Sequence, residues 1–393
     1  MIVPAPRSGD VLLAAVRARY QDPSLEVLSS LAAAGPDWGL VGELARLHAV
    51  APLLENAVAR LPAGSVPTPA REEIAAAAAS ARLRSLELTG ELLTLLDVFE
   101  AAGIEVLPYK GPVLAAAAYG DPAARTFRDL DLLVRPRDLA AALALTRERG
   151  YTDRTDLPPR WERHERRHGH DRKLVAGRSV IELQWALAGR AEGVRAPIGQ
   201  LFERAINVQV GGRGVPSLGP EDLLLVLTAH GSLHLWERLA WVADVAEALR
   251  TSPALDTDTM LARAGEWGTR RMTLVGLELA RSLLGAQVPE GLGAGPEERA
   301  IARDLARACL TRGDGAPAEA PALTHLRGAM RLQDSARQKA CLAARHLFVP
   351  SVSDFMAVRL PDALFPAYYL VRPIRLAAAY VVGDRRPGDA VQE

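Results

Sequence analysis

Arg128-Asp129-Leu130-Asp131-Leu132-Leu133-Val134 sets a carboxylate pair into an apolar run. Leu130 to Val134 reads as a buried β-strand, and in a strand residues two apart point to the same face. Asp129 and Asp131 would therefore share one small space. Two carboxylates held together resist ionisation unless positive charge lies between them. Mg²⁺, a hard ion that takes one or two carboxylates plus substrate phosphates, meets that need. The same residues admit a plainer reading, in which an Asp caps a turn and the pair is neutralised by Arg125 or Arg128.

Upstream, Tyr109-Lys110-Gly111-Pro112 joins a strand-like segment, Ile104 to Tyr109, to a helical one, Pro112 to Tyr119. Glycine lets backbone approach a ligand, a helix N-terminus favours anions, and lysine reaches phosphate as a point charge. An ordinary strand-to-helix turn carrying a surface lysine is the alternative. The lysine is conspicuous, because the chain's cations are otherwise arginine and its only lysines are Lys110, Lys173 and Lys339. Downstream, in Val180-Ile181-Glu182-Leu183-Gln184-Trp185, Glu182 alternates away from Ile181 and Leu183 and can meet the pair from a neighbouring strand. Three carboxylates on adjacent strands can hold two Mg²⁺ ions roughly 3.5 to 4 Å apart, a spacing that clamps an in-line phosphoryl displacement.

Outward from this centre the pattern divides the chain in three. Residues 1–102 are helical, with Asp37 as an N-cap and a long helix from about Ala70 to Ala102. That helix carries a stripe of Leu83, Leu86, Leu88, Leu92, Leu95 and Val98, and Gly103 ends it as a C-cap. Residues 103–215 mix short strands with helices: Pro136 to Arg149 is helical, Asp171 to Val175 and Ser179 to Trp185 form a hairpin through Ala176-Gly177-Arg178, and Asn207 to Val210 adds an edge. Residues 216–393 return to helices. The fold class is α+β.

Bulk properties exclude some functions. The 393 residues include 47 Lys+Arg and 47 Asp+Glu, so no overall field draws the chain to nucleic acid, which argues against a generic DNA binder. Cys309 and Cys341 form neither a zinc spacing nor a disulfide framework, which points to a reducing cytoplasm. Met1 to Arg7 lacks the order of a signal peptide. The apolar stretch Ala363 to Val382 is broken by Arg372, Pro373 and Arg375, so no membrane span is expected.

Leu107-Pro108-Tyr109-Lys110-Gly111, Tyr119-Gly120-Asp121-Pro122, Arg125 and Asp129 to Val134 together resemble the bacterial uncharacterised nucleotidyltransferase family of the DNA polymerase β-like superfamily. Later blocks extend the resemblance: Ile181 to Trp185, His230-Gly231, His234-Leu235-Trp236, Leu239, Trp241, Asp244, and the tail Pro361 to Leu376. It covers most of the chain, from about residue 40. It implies a small polymerase β-like core with a mixed sheet, flanked by an N-terminal and a larger C-terminal helical region that covers the cleft. It also implies that Gly111 is the turn that holds a triphosphate, that Asp129 and Asp131 are Mg²⁺ ligands, and that Glu182 is the third carboxylate and a general base. Lys110 and Arg125 would neutralise phosphate charge in the transition state.

The implied reaction moves a nucleoside monophosphate from an NTP, ATP by default, to a hydroxyl of an acceptor, releasing pyrophosphate. The acceptor is open among a small molecule, a peptide, a protein side chain and an RNA end. Gly111-Pro112 departs from the superfamily's usual Gly-Ser, Gln184 stands where the family often has His, and Leu233 stands near a family Lys. Two alternatives stay open: a degenerate nucleotide- or partner-binding, antitoxin-like protein, and transfer of another phosphate-linked group such as a sugar.

Four further features are less specific. His230 and His234 stand i, i+4 on a probable helix, as metal ligands or as packing and substrate contacts. His164, His168 and His170 lie in the Arg-rich stretch Arg160 to Arg172, expected as a solvated loop or a phosphate or RNA contact. Trp236 and Trp241 read as core or groove wall. Asp244 reads as a helix-surface ion pair.

Overall fold

Leu130–Val134, β2, is buried at every position, as its apolar run requires. It lies inside a five-stranded sheet of order β1-β2-β5-β4-β3, with β1 (Val106–Pro108), β3 (Thr152–Asp153), β4 (Asp171–Ala176) and β5 (Ser179–Gln184). β2 and β5 run parallel and the other pairs antiparallel, so the sheet is mixed. The computed structural model describes residues 7–153, 157–189, 192–311 and 322–382. Residues 1–6, most of the stretch compared with a signal peptide, lie outside these.

Helices α1 (Ser8–Arg17), α2 (Pro23–Ala33), α3 (Trp38–Leu47) and α4 (Ala51–Ala59) precede α5 (Thr68–Ala101). Asp37 caps α3, its carboxylate accepting from the Leu40 N–H at 3.0 Å. Gly103, with φ +68°, follows α5 in the left-handed conformation that ends a helix. The buried residues of α5 are Ile74, Ala78, Ser85, Leu88, Thr89, Leu92, Leu95, Leu96 and Phe99. Leu83 and Leu86, assigned to the stripe from sequence, are 61% and 52% exposed. The 3.6-residue period that passes through 78, 85, 88 and 92 turns those two outward.

Within the sheet region, α6 (Gly111–Leu114) widens into a π-helical turn (Ala115–Tyr119), α7 (Leu139–Glu148) follows β2, and α8 (Pro159–His168) precedes β4. The stretch expected as a solvated loop is thus largely helix. Trp161 and His164, one turn apart, anchor α8 in a satellite cluster with Phe355 and Tyr368, and a helix that buries one face no longer behaves as a loop. After α9 (Ile198–Glu203), β6 (Ile206–Val210) pairs with β7 (Arg213–Ser217) in a separate two-stranded sheet. The expected extra edge is therefore a hairpin of its own, its backbone bonds satisfied by β7.

Helices α10 (Pro220–Leu233), α11 (Leu239–Thr251), α12 (Thr257–Trp267), α13 (Arg270–Leu284) and α14 (Pro296–Thr311) are followed by α15 (Ala322–Arg331), α16 (Ala336–Phe348), α17 (Val352–Ala357) and α18 (Tyr368–Val382). The two faces of the sheet feed different cores. Leu130, Leu132, Ile181 and Leu183 pack with Leu88, Leu92, Leu95 and Phe99 of α5. Leu107, Tyr109 and Leu133 instead join a core shared by α1–α4 and α10–α13. Each such leucine contributes about 1.5–3 kcal/mol when fully buried. No helix among the described residues is long and apolar enough to cross a membrane.

Candidate active site

Alternation on β2 and β5 decides which side chains meet. Leu130, Leu132, Ile181 and Leu183 take one face, which leaves Asp131, Glu182 and Gln184 on the other. The parallel register sets Asp131 directly opposite Glu182, and the antiparallel neighbour β4 sets Lys173 opposite Glu182 on its other side. Asp129 precedes β2 and shares the face of Asp131.

Lys110 lies against this row. Its Nζ donates to Asp131 Oδ1 at 2.8 Å and approaches His230 Nδ1 at 3.2 Å. Lys173 Nζ lies 3.1 Å from Glu182 Oε1. The plainer reading of the aspartate pair named Arg125 or Arg128 as its partner; the ion pair of Asp131 is made by Lys110. Gln184 completes the row, its Nε2 donating to Asp131 Oδ1 at 3.1 Å and to Glu182 Oε2 at 3.4 Å, while its Oε1 accepts from the Tyr109 hydroxyl.

The electrostatics follow from this crowding. Burial pushes the Glu182 carboxyl up to about 7, with the Asp131 and Asp129 charges adding to it. Burial and then Asp131 raise Asp129 as well. Burial alone would lower Lys110, but the Asp131 carboxylate outweighs it and holds the ammonium charged. Burial followed by the Lys110 charge depresses both His230 and His234, the latter to about 3, so both imidazoles are neutral.

Gly111 occupies the turn expected of it, with φ +53° and a Cβ position 3.5 Å from the Asp129 carbonyl oxygen. Pro112 sits in the first turn of α6, where its missing N–H costs no helical bond. The helix it opens is only four residues long before the π turn, so its dipole is short.

Arg125 is held elsewhere than among the carboxylates. Its Nε and Nη2 donate to both oxygens of Asp244 at 2.6 and 2.7 Å, and the Tyr119 hydroxyl donates to the same carboxylate at 2.8 Å. Asp244 is 2% exposed, so the surface ion pair expected of it is a buried one that ties the loop before β2 to α11. An acid on a helix reads as surface only until a buried arginine faces it.

His230 and His234 meet ring to ring at 4.7 Å, and both contact Trp241, at 5.3 and 5.1 Å. Trp236 is fully buried, its ring filling the space a side chain on Gly231 or Gly276 would occupy. Leu235 and Trp236 both have positive φ, at +51° and +56°, so the turn that follows His234 at the end of α10 is strained. His230 Nδ1 faces an ammonium, which removes that nitrogen from any zinc set.

The oxygens available to a hard cation are those of Asp129, Asp131 and Glu182, a donor set suited to Mg²⁺. Among the described residues no group of three or more His, Cys, Asp or Glu is gathered closely enough to hold an ion. Asp131 and Glu182 each lend an oxygen to a lysine instead. Tyr109, Lys173 and Gln184, not singled out from sequence as site members, complete the row, and His230, read from sequence as a metal ligand or a packing or substrate contact, meets Lys110. The scarcity of lysine was the signal for Lys173, and strand alternation with Glu182 the signal for Gln184.

Comparison with known proteins gives one family. A family model described as "Uncharacterised nucleotidyltransferase" matches residues 34–285, more than half of the chain. No curated protein matches. The solution structure of the antibiotic-resistance factor ANT(2'')-Ia is similar at 12% identity and a TM-score of 0.35, over 48% of this chain and 96% of that one.

Proposed function

The chain belongs to the uncharacterised nucleotidyltransferase family, and from that membership we propose that it transfers a nucleoside monophosphate from an NTP, with ATP the first donor to try, to a hydroxyl of an acceptor. The observation that carries this is the parallel register of Asp131 with Glu182, with Asp129 beside them and the Lys110-Gly111 turn against the row. A hydroxyl oxygen of the acceptor bonds to the α-phosphorus, the bond from that phosphorus to the αβ-bridging oxygen breaks, and pyrophosphate leaves.

Asp129, Asp131 and Glu182 would hold Mg²⁺, which supplies charge stabilisation to the attacked phosphate and the leaving group. Glu182 takes the proton of the acceptor hydroxyl. Lys110, an ammonium with three donors, two of them spent on Asp131 and His230, offers its remaining N–H to the phosphate oxygens as charge moves onto the leaving group. Arg125 supports the site by fixing the loop that leads into Asp129. Cys309 and Cys341 are not disulfide-bonded, and a reducing cytoplasm is the setting we propose.

Incubation with each α-labelled NTP and Mg²⁺, over fractions of small molecules, peptides, proteins and RNA, tests the reading. Label is expected in one fraction and is expected to vanish in Asp129→Ala and Asp131→Ala. A second reading, a binding protein on a degenerate core, draws support from the lysines already neutralising Asp131 and Glu182. Calorimetry separates the two: ATP binding that ignores both Mg²⁺ and the two substitutions would sink the enzyme.

A further inference from the structure

We infer that His230 is the positioning residue for Lys110, fixing the ammonium on the carboxylate row and aiming its remaining N–H outward; this rests on the role proposed for Lys110. Lys110 is 8% exposed, and among the described residues its hydrogen-bond partners are Asp131 and His230. An ammonium has only donors, so His230 Nδ1 must accept. The proton of the neutral ring is therefore on Nε2.

The geometry does more than satisfy a buried charge. A lysine stem has four rotatable carbons and a single ion pair leaves its head free to swivel about Asp131. The second acceptor, on a different element, removes that freedom: Asp131 comes from β2 and His230 from α10. With two directions fixed, one N–H is left to donate.

His230 is itself fixed. Its ring lies edge-on to both His234 and Trp241, at 61° and 82°. Gly231, next in sequence, packs on the Trp236 ring, and Trp236 belongs to the strained turn with Leu235. Backbone strain of this kind persists only where surrounding packing determines it. Here the packing holds one imidazole against one ammonium.

Because the chain has only three lysines, Lys110 can be followed by itself. The experiment acylates the full-length protein with a small amine reagent, acetic anhydride, and reads the rate at each lysine by mass spectrometry. His230→Leu removes the acceptor, and His230→Asn restores one near the position of Nδ1. Lys110 is expected to acylate slowly in the wild type, about tenfold faster in His230→Leu and within about twofold of wild type in His230→Asn, a hydrogen bond to a charged group corresponding to roughly that factor. Lys173 and Lys339 should keep their rates in all three proteins, which shows that the variants are folded. Calorimetry with ATP and Mg²⁺ should weaken about tenfold in His230→Leu and recover in His230→Asn. An unchanged Lys110 rate in His230→Leu, or a failure of Asn to restore it, overturns the inference. If the wild type binds none of the four NTPs, the nucleotidyl-transfer reading fails while the acylation rates still decide the role of His230.

Discussion

At the scale of single residues, Gly111 separates backbone from contact. Its φ of +53° lies in the left-handed region, but a Cβ there would meet only ordinary neighbours, the nearest the Asp129 carbonyl oxygen at 3.5 Å. Gly111→Ala should therefore lose about 1–2 kcal/mol in a urea titration, the cost of a left-handed alanine. Gly103, with φ +68° and nothing within 4 Å, is the control: Gly103→Ala should lose a similar amount yet leave ATP affinity intact, whereas Gly111→Ala should weaken it. Arg125 poses a different question, because its guanidinium faces Asp244 and not the carboxylate row. Truncation leaves a buried carboxylate whose remaining hydrogen-bond partner among the described residues is the Tyr119 hydroxyl, and removing one partner of such a pair costs about 3–5 kcal/mol. Arg125→Ala is expected to lose that much, and Arg125→Ala/Asp244→Ala less than the sum of the two single losses. Equal additive losses would mean that the pair is not coupled.

At the scale of elements, α8 shows what sequence patterns reveal and what they hide. Its arginines made a loop plausible, while the two residues that seat it, Trp161 and His164, find Phe355 and Phe365 from a segment distant in sequence. No local pattern carries such a pairing. The strands were legible because β2 and β5 bury whole apolar faces and so enforce period two; β6 was legible as a strand, but its partner depends on tertiary packing. The carboxylates were legible for the same reason as β2 and β5, since an acid in a buried strand needs a partner. His230 was legible as a candidate from its spacing to His234, but its contact to Lys110 was not, because that contact is made between α10 and the turn after β1.

The seat of α8 also titrates. Burial lowers His164, whose Nε2 donates to the Pro350 carbonyl at 2.9 Å. Burial would raise Asp354, but the Ser351 N–H together with Arg372 and Arg375 outweigh it and hold the carboxyl below its usual value. Both folded values are depressed, so both groups contribute stability that is present above their ordinary values and lost as pH falls through the folded ones. Protection of the α8, α17 and α18 amides from hydrogen exchange should decline below pH about 6.5 as His164 charges, and further below pH about 4 as Asp354 protonates. His164→Leu should remove the first step and spare the second; a decline starting on the alkaline side would contradict the assignment.

Over the whole molecule, the acids of these charge clusters among the described residues differ, as two groups, in the cation that meets them. Asp222 is held by Arg204 and Arg263, Glu247 by Arg19 and Arg250, Asp354 by Arg372 and Arg375, and Asp244 by Arg125 with Tyr119. Asp131 and Glu182 are met by one lysine each. An arginine fork binds a carboxylate through several fixed donors, whereas an ammonium is a point charge on a flexible stem. The first group joins elements: Asp244 ties α11 to the loop before β2, Glu247 ties it to the turn after α1, and Asp222 links α10 to α12. The second group sets three carboxylates against two ammonium ions, and burial, with the neighbouring carboxylates adding to it, raises Asp129 and Glu182. Function and stability then pull in opposite directions at the two kinds of acid. In Mg²⁺-free buffer Asp129→Asn, which removes a buried charge repelled by Asp131, should raise the unfolding free energy, while the proposed nucleotidyl transfer is lost. Asp222→Asn should do the reverse, losing about 3–5 kcal/mol by stranding two partly buried guanidinium groups. Denaturant titrations of the two variants decide it, and an Asp129→Asn protein less stable than wild type would show that the carboxylate row is a structural cluster like the others.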